Sequence, residues 1–265
     1  MSAGNERFSA EAAAWDSNED VHRASESALQ AILRHRPDLV ENKKEAPIRG
    51  LDVLEIGCGT GLLTLRLAPY VRRIVAVDAA QGMIDALRQK LAKAATEEAK
   101  DSEGDCRASI QTICVLLEDP EDPALPAADF PDDAASFAPR RKFDLAISHL
   151  VLHHIPDHPA LLKTLFGCLK PGGQLALTDF ENFGPEARSF HPESRMDGVE
   201  FHGIEAELLA QQMRAAGFTD VSVQPEWVME KAVERFPGEW DAGKPAGVEL
   251  RKMQFPFLLC RGTKP

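Results

Sequence analysis

Three glycines at alternate positions, Gly57, Gly59 and Gly61, stand in the stretch Glu55-Ile56-Gly57-Cys58-Gly59-Thr60-Gly61, directly after a short apolar run. Glycine lets a backbone turn tightly and lets a ligand approach where any Cβ would collide. Two acids sharpen the signal. Glu55 comes two residues before Gly57, and Asp78 comes 21 residues after it, at the end of a second apolar run. An acid so placed accepts hydrogen bonds from the hydroxyls of a ribose. Dinucleotide sites favour G-x-G-x-x-G, with a pyrophosphate on the helix N-terminus. A carboxylate next to that pyrophosphate is repelled, whereas one near an ammonium and a sulfonium is attracted. The residues therefore favour S-adenosyl-L-methionine over a dinucleotide.

The histidines are a second candidate for chemistry. His149, His153 and His154 follow the fourth apolar run, with His158 soon after. Pro156 breaks helical spacing between His154 and His158, and no carboxylate stands at a fixed interval, so no metal site is read here. The irregular segment Asp179–Gly203 carries His191, Glu200 and His202. It follows the fifth strand and reads as a cover over the reacting end of the ligand. His202 and His191 are the candidate catalytic residues, as general bases: an imidazole titrating near neutrality suits removal of a proton from an oxygen, nitrogen or carbon acceptor. Cys58 reads as a small loop residue rather than a nucleophile.

These residues need elements to position them. Residues 1–9 read as frayed, and Ser9 to about Arg36 as helical, with Ser17 or Asn18 as a cap. Pro37 ends that pattern, and Glu41–Pro47 reads as a loop. Apolar strand runs follow at Leu51–Ile56, Ile74–Val77, Ser109–Leu117, Phe143–Ser148 and Gln174–Thr178, with last strands at Val221–Val223 and Phe255–Cys260. Helical patterns fall between them at Leu62–Ala68, Gly82–Lys100, Pro159–Leu169 and Ile204–Ala216, the last with Gly217 at its C-cap. Lys170-Pro171-Gly172-Gly173 ends the third of these, and the acidic, proline-rich Glu118–Pro139 reads as a surface insertion. Short strands alternating with amphipathic helices predict an α/β fold: a Rossmann-like, doubly wound, mostly parallel seven-stranded sheet with helices on both faces. Ligands on such sheets sit beyond the carboxyl ends of the strands. One domain over residues 1–265 is expected, with a helical cover at 1–45, a cofactor-binding core at 46–180, and a lid segment and C-terminal strands at 181–265.

Composition narrows the partners. A formal net charge of −12 opposes nucleic acid, which is held largely by neutralising phosphates. The basic clusters Arg72-Arg73 and Arg140-Arg141-Lys142 are short and each precedes an apolar run, as strand entrances do. Five cysteines without CxxC pairing predict reduced thiols in an intracellular setting. With no apolar signal core and no membrane-length run, the expected location is cytoplasmic or nuclear. Trp227, Met229 and Phe236 read as core rather than as a pocket wall.

Four stretches in order carry a family resemblance. VLEIGCGTG at 53–61 and AVDAAQGMI at 76–84 resemble the first two motifs of class I S-adenosylmethionine-dependent methyltransferases. FDLAISHLVLHHIPD at 143–157 and LKPGGQLALTD at 169–179 resemble the motifs around their fourth and fifth strands. The chain is similar to the small-molecule group that includes ubiquinone and menaquinone C-methyltransferases, and Phe8–Leu33 resembles the N-terminal cover helices of bacterial relatives. The resemblance implies that Glu55, Gly57, Gly59 and Gly61 line the methionine part of S-adenosyl-L-methionine, and that Asp78 holds the ribose. It places Ala79 and Met83 near the adenine, Glu118 or Asp119 at the adenine amino group, and Ser148-His149 facing the cofactor. It gives His153-His154 a structural role in the strand-to-helix connection. The implied activity is methyl transfer to a small-molecule acceptor by a monomer or homodimer without nucleic acid, metal or membrane span. Three other readings remain: the same fold retained as a regulatory subunit without methyl transfer, a dinucleotide-dependent oxidoreductase, and a protein or nucleic-acid methyltransferase, which the acidity disfavours.

Overall fold

The computed structural model describes residues 3–41, 50–98, 108–128, 139–240 and 250–265. Apolar and β-branched runs form the strands β1 (Asp52–Ile56), β2 (Arg73–Asp78), β3 (Ser109–Cys114), β4 (Phe143–His149), β5 (Leu169–Phe180), β6 (Thr219–Val233) and β7 (Arg251–Thr263). Helices α1 (Ala3–Trp15), α2 (Glu19–His35) and α3 (Pro37–Glu41) precede the sheet. Four more, α4 (Leu62–Leu67), α5 (Gln81–Glu98), α6 (His158–Cys168) and α7 (Ala206–Ala215), connect the strands.

The strands make one seven-stranded sheet in the order β3-β2-β1-β4-β5-β7-β6. The first five run parallel, and β7 pairs antiparallel with both β5 and β6. This is the expected Rossmann-like α/β architecture. Successive strand residues point to opposite faces, so the sheet builds two cores. Leu54, Val75, Ala146 and Leu177 pack on one side with Leu162 and Leu165 of α6 and Met213 of α7. Val53, Ile74, Leu145 and Ile147 pack on the other with Ile32 of α2, Leu63 and Leu67 of α4, and Leu87 of α5. Chain order reverses across β1 and β4, and the crevice beyond their carboxyl ends is where doubly wound sheets take ligands.

Several boundaries differ from the sequence expectation. Residues from Ala3 onward are helical rather than frayed, because α1 docks on α5. Gly82 permits that contact: a Cβ there would lie 2.4 Å from the carbonyl oxygen of Ser9. The chain breaks after Trp15, and the Asn18 side chain caps α2 by accepting from the Asp20 amide at 3.0 Å. Lys170–Gly173 belong to β5, joined to the C-terminus by paired bonds between Gly172, Gly173 and Lys264. Strand β6 runs 15 residues, far beyond Val221–Val223. It is an edge strand with solvent-facing polar positions, and Pro225 falls at a register shift, so its apolar pattern is sparse. The expected loop at Glu41–Pro47 lies almost wholly outside the described residues, as do the end of the Gly82–Lys100 helix and residues 129–138 of the insertion.

Candidate active site

A cleft of about 650 Å³ opens beyond the carboxyl ends of β1, β2 and β4, with α1 across its top. Its floor is the glycine bend. The amides of Gly57 and Cys58 both donate to the Val77 carbonyl, at 2.8 and 3.0 Å, folding the chain back over the end of β2. All three glycines have positive φ, yet their surroundings differ. A Cβ on Gly57 would meet the Val151 side chain at 2.3 Å and one on Gly61 would meet Leu87 at 2.3 Å, whereas one on Gly59 would find nothing within 4 Å. Gly57 and Gly61 are thus closed in by protein, and Gly59 leaves room for something else. From outside, the Thr60 hydroxyl donates to Asp16 at 2.5 Å, and Lys90 pairs with Asp16 and donates to the Thr60 carbonyl.

The two acids are held before any ligand arrives. Asp78 accepts from the amide of Gly59 through one carboxylate oxygen and from that of Ala80 through the other, each at 2.8 Å. Burial nevertheless raises its carboxyl above the ordinary range, with those amides acting against the rise. Each oxygen keeps acceptor capacity beyond one bond. Glu55 accepts from the Thr64 hydroxyl at 2.6 Å and is fully buried; burial pushes its carboxyl up to about 8 against that bond, with Asp78 adding to the rise. Its charge is therefore largely absent at neutral pH until a cation arrives nearby.

Met83 and Ala79 line the cleft, with Phe8 and Trp15 of α1 packed against Met83. The short stretch after β3 supplies Val115, Leu116, Leu117 and Glu118, and Leu116 stands exposed. Asp119 is not part of the lining; its carboxylate accepts from the Glu121 amide and shapes the turn. Ser148 is likewise withdrawn, its hydroxyl donating to the Ile56 carbonyl at 2.9 Å to tie β4 to β1. His149 beside it does line the cleft.

The far end is built from more distant pieces. Leu150 adopts φ 57, turning the chain after β4 so that Val151 covers Gly57 and His154 reaches the cleft wall. Asp197, Gly198 and Glu200 face it from the segment after β5. Arg7 of α1 donates to the carbonyls of Arg195 and Asp197, latching the two covers together. His202 is exposed and outside the cleft lining. His191 also lies outside the lining, with its ring 5.0 Å from that of His153 and 6.0 Å from that of His154. Burial pulls His191 well below its ordinary pKa, with His153 and His154 adding to the shift. Burial likewise lowers His149 to about 4 and His154 to about 3. These rings are weak bases, poorly matched to proton removal near neutrality.

Sequence spacing also missed Asp179. This fully buried carboxylate on β5 accepts from the His153 ring at 2.9 Å and from the Phe180 amide at 2.8 Å. Burial alone would raise it, but His153 together with the Phe180 amide more than offsets that and leaves it below the ordinary range. Six carboxyl groups line the cleft, those of Glu55, Asp78, Glu118, Asp157, Asp197 and Glu200, and no lysine or arginine among the described residues does. Cys58 has its thiol pushed well up by burial, which keeps it protonated rather than nucleophilic. Trp227 stacks on Phe257 at 4.9 Å and Met229 is buried nearby, as core, whereas Phe236 is exposed.

The sequence profile of one family, the methyltransferase domain, matches residues 20–223. An uncharacterised methyltransferase of Schizosaccharomyces pombe is 28% identical over 226 residues, 81% of this chain and 72% of that protein. Phosphoethanolamine N-methyltransferase 1 of Zea mays is 26% identical over 194 residues, 71% of this chain but only 33% of the maize protein. Among solved structures, a SAM-dependent methyltransferase of Thermotoga maritima, a possible histamine N-methyltransferase, superposes with a TM-score of 0.54 at 20% identity, covering 97% of this chain and 98% of that one.

Proposed function

The chain belongs to the methyltransferase domain family, whose chemistry is S-adenosylmethionine-dependent, and we propose that it methylates a small acceptor that is an amine or an uncharged molecule. One observation carries the choice of acceptor: every ionisable carboxyl or basic side chain lining the cleft, histidines aside, is an acid. A phosphate or carboxylate on the acceptor would enter against the ionised ones among them, with no lysine or arginine of the described residues in the lining to receive it. The maize relative is named for phosphoethanolamine; this cleft suits the amine half of such a molecule and not its phosphate.

The residues present fit the donor. The space over Gly59 accommodates a ligand where a side chain would stand. Asp78 would take the ribose hydroxyls on its remaining acceptor positions. Met83, Ala79, Leu116 and Glu118 would surround the adenine, and the bend from Gly57 to Gly61 with Glu55 would hold the methionine part. When bound, S-adenosyl-L-methionine supplies a methyl group on a sulfonium, already activated for in-line displacement. The protein's part is then to position and to exclude water, and orientation of that kind can contribute roughly 7–11 kcal/mol. Phe8 and Trp15 close the top, and Glu200 and Asp197 on the cleft wall hold the amino group of an acceptor, which attacks the methyl as its free base; the methylated ammonium so formed then gives its extra proton to solvent. His202 and His191 have no part in that step.

Mass-spectrometric detection of methylated product across paired acceptors tests the proposal, each amine presented with its phosphorylated counterpart. The expected result is turnover of amines or neutral hydroxyl and thiol compounds, with the phosphorylated partners at least tenfold poorer. Preferential turnover of the phosphorylated compounds would overturn the acceptor class and leave the family untouched.

A further inference from the structure

Beside the cleft, and outside the donor site, three imidazoles meet. One ring nitrogen from each of His153, His154 and His191 lies within 4.8 Å of the other two. The rings of His153 and His154 are 3.9 Å apart between centroids. Such crowding has a definite hydrogen-bond logic. His153 Nδ1 meets the Asp179 carboxylate at 2.9 and 3.0 Å, and His154 Nδ1 meets the Gly198 carbonyl at 2.6 Å. Both partners only accept, so Nδ1 carries the hydrogen in each ring. That leaves Nε2 of each as the atom with unmet capacity. His153 Nε2 is buried without a hydrogen-bond partner among the described residues, in a residue only 2% exposed. A buried polar atom left so costs free energy unless something occupies the space it faces.

We propose that His153, His154 and His191 form a binding site for one divalent transition metal of the zinc class. A carboxylate that fixes the tautomer and orientation of a histidine by bonding its other nitrogen is the arrangement that supports metal-bound imidazoles, and Asp179 stands in that relation to His153. Phe180 and Phe190 enclose the cluster, 5.0 Å from the rings of His153 and His191 respectively, and keep it dry. Zinc–nitrogen bonds of about 2.0–2.1 Å at tetrahedral angles put nitrogens about 3.4 Å apart. The rings must therefore close by little more than an ångström, which side-chain torsions supply. Three protein ligands leave the fourth position open, and His154 puts that position beside the cleft wall. A metal held there joins the connection after β4 to the segment carrying His191. Two cations act on the cluster, Lys231 and Arg7; Lys231 is tied to the Phe190 carbonyl at 2.6 Å, Arg7 to the carbonyls of Arg195 and Asp197, and the Asp179 carboxylate offsets them.

Full-length, untagged protein dialysed against zinc and then passed through a desalting column provides the test, with bound metal measured by plasma mass spectrometry. About one equivalent of zinc is expected to remain and to raise the melting temperature. His191→Gln and His154→Gln should each lose that equivalent and the thermal shift while keeping a native circular dichroism spectrum. Asp179→Asn should weaken zinc affinity about 10- to 100-fold, as loss of an orienting partner does. Cobalt in place of zinc should give the intense visible bands of tetrahedral coordination. Failure of the folded wild-type protein to retain zinc or cobalt would overturn the site. So would equal retention by the folded glutamine variants, or the weak spectrum of an octahedral, adventitious ion. None of these readouts depends on methyl transfer.

Discussion

The two ends of the cleft are assembled differently. At the donor end, the bend at Gly57–Gly61 and the acid Asp78 are joined directly by backbone amides, and nearly every participant lies between residues 55 and 83. At the acceptor end, Phe8, His154 and Glu200 come from three elements far apart in sequence, held by α1 docking and by the latch from Arg7. The donor end is a preorganised cradle fixed by short-range geometry. The acceptor end is a junction whose shape depends on tertiary packing, the kind of loop-built region on which a scaffold carries its specificity.

The largest expected effect tests the cradle. Asp78→Ala removes the carboxylate proposed to hold the ribose and frees two amides, and calorimetry with S-adenosylhomocysteine should show affinity falling on the order of 100-fold or more, since hydrogen bonds to a charged group contribute about 1.5–3 kcal/mol each. Unchanged affinity would erase the distinction between the two ends. Next comes the contrast within the bend. Gly57→Ala drives a Cβ into Val151 at 2.3 Å and should destabilise the fold by roughly 2–3 kcal/mol in urea unfolding. Gly59→Ala meets no protein atom, so it should cost only about 1 kcal/mol of stability from its positive φ while weakening donor binding more than Gly57→Ala does.

A smaller effect concerns pH. The Glu55 carboxyl in the folded protein sits at about 8, above its ordinary value of 4.5, so between those limits the folded state binds the extra proton. Its contribution to stability is complete below pH 4.5 and is lost as pH rises toward 8, at up to about 1.4 kcal/mol per unit. The stability difference between wild type and Glu55→Gln should drift by about 1 kcal/mol per pH unit over that window in the direction that disfavours wild type at the alkaline end. A flat difference would mean that Glu55 is already ionised. Smallest of all, Glu200→Gln should raise the KM of an amine acceptor about threefold, in line with about 0.6 kcal/mol for a solvent-screened charge, and leave donor affinity unchanged. A matching loss of donor affinity would show that the ends are not separate.

The same contrast governs what could be read from residues alone. The glycine spacing, Glu55 and Asp78 form a local pattern, and the strands around them are continuous apolar runs because both faces are buried. Ser148 and Asp119 were misplaced by a single residue each, since facing direction alternates along a strand and breaks down in the turn after it. The edge strand β6 was legible only at Val221–Val223, because few of its fifteen positions are buried. The cluster around His153 was invisible for another reason: His191 is 38 residues away, and no helical or strand period links them. Asp179 ended a recognised motif, yet nothing in its spacing announces that its carboxylate turns toward the connection after β4.

The latch from Arg7 has a practical corollary. The roof has two leaves, one from α1 and one from the segment before α7, and the Arg7 guanidinium bolts them to each other through main-chain carbonyls while Arg195 reaches back to Glu11 at 3.8 Å. Trimming the first ten residues takes Phe8 off Met83 and Arg7 off the far leaf, and so leaves the sheet standing while it strips the workshop of its door.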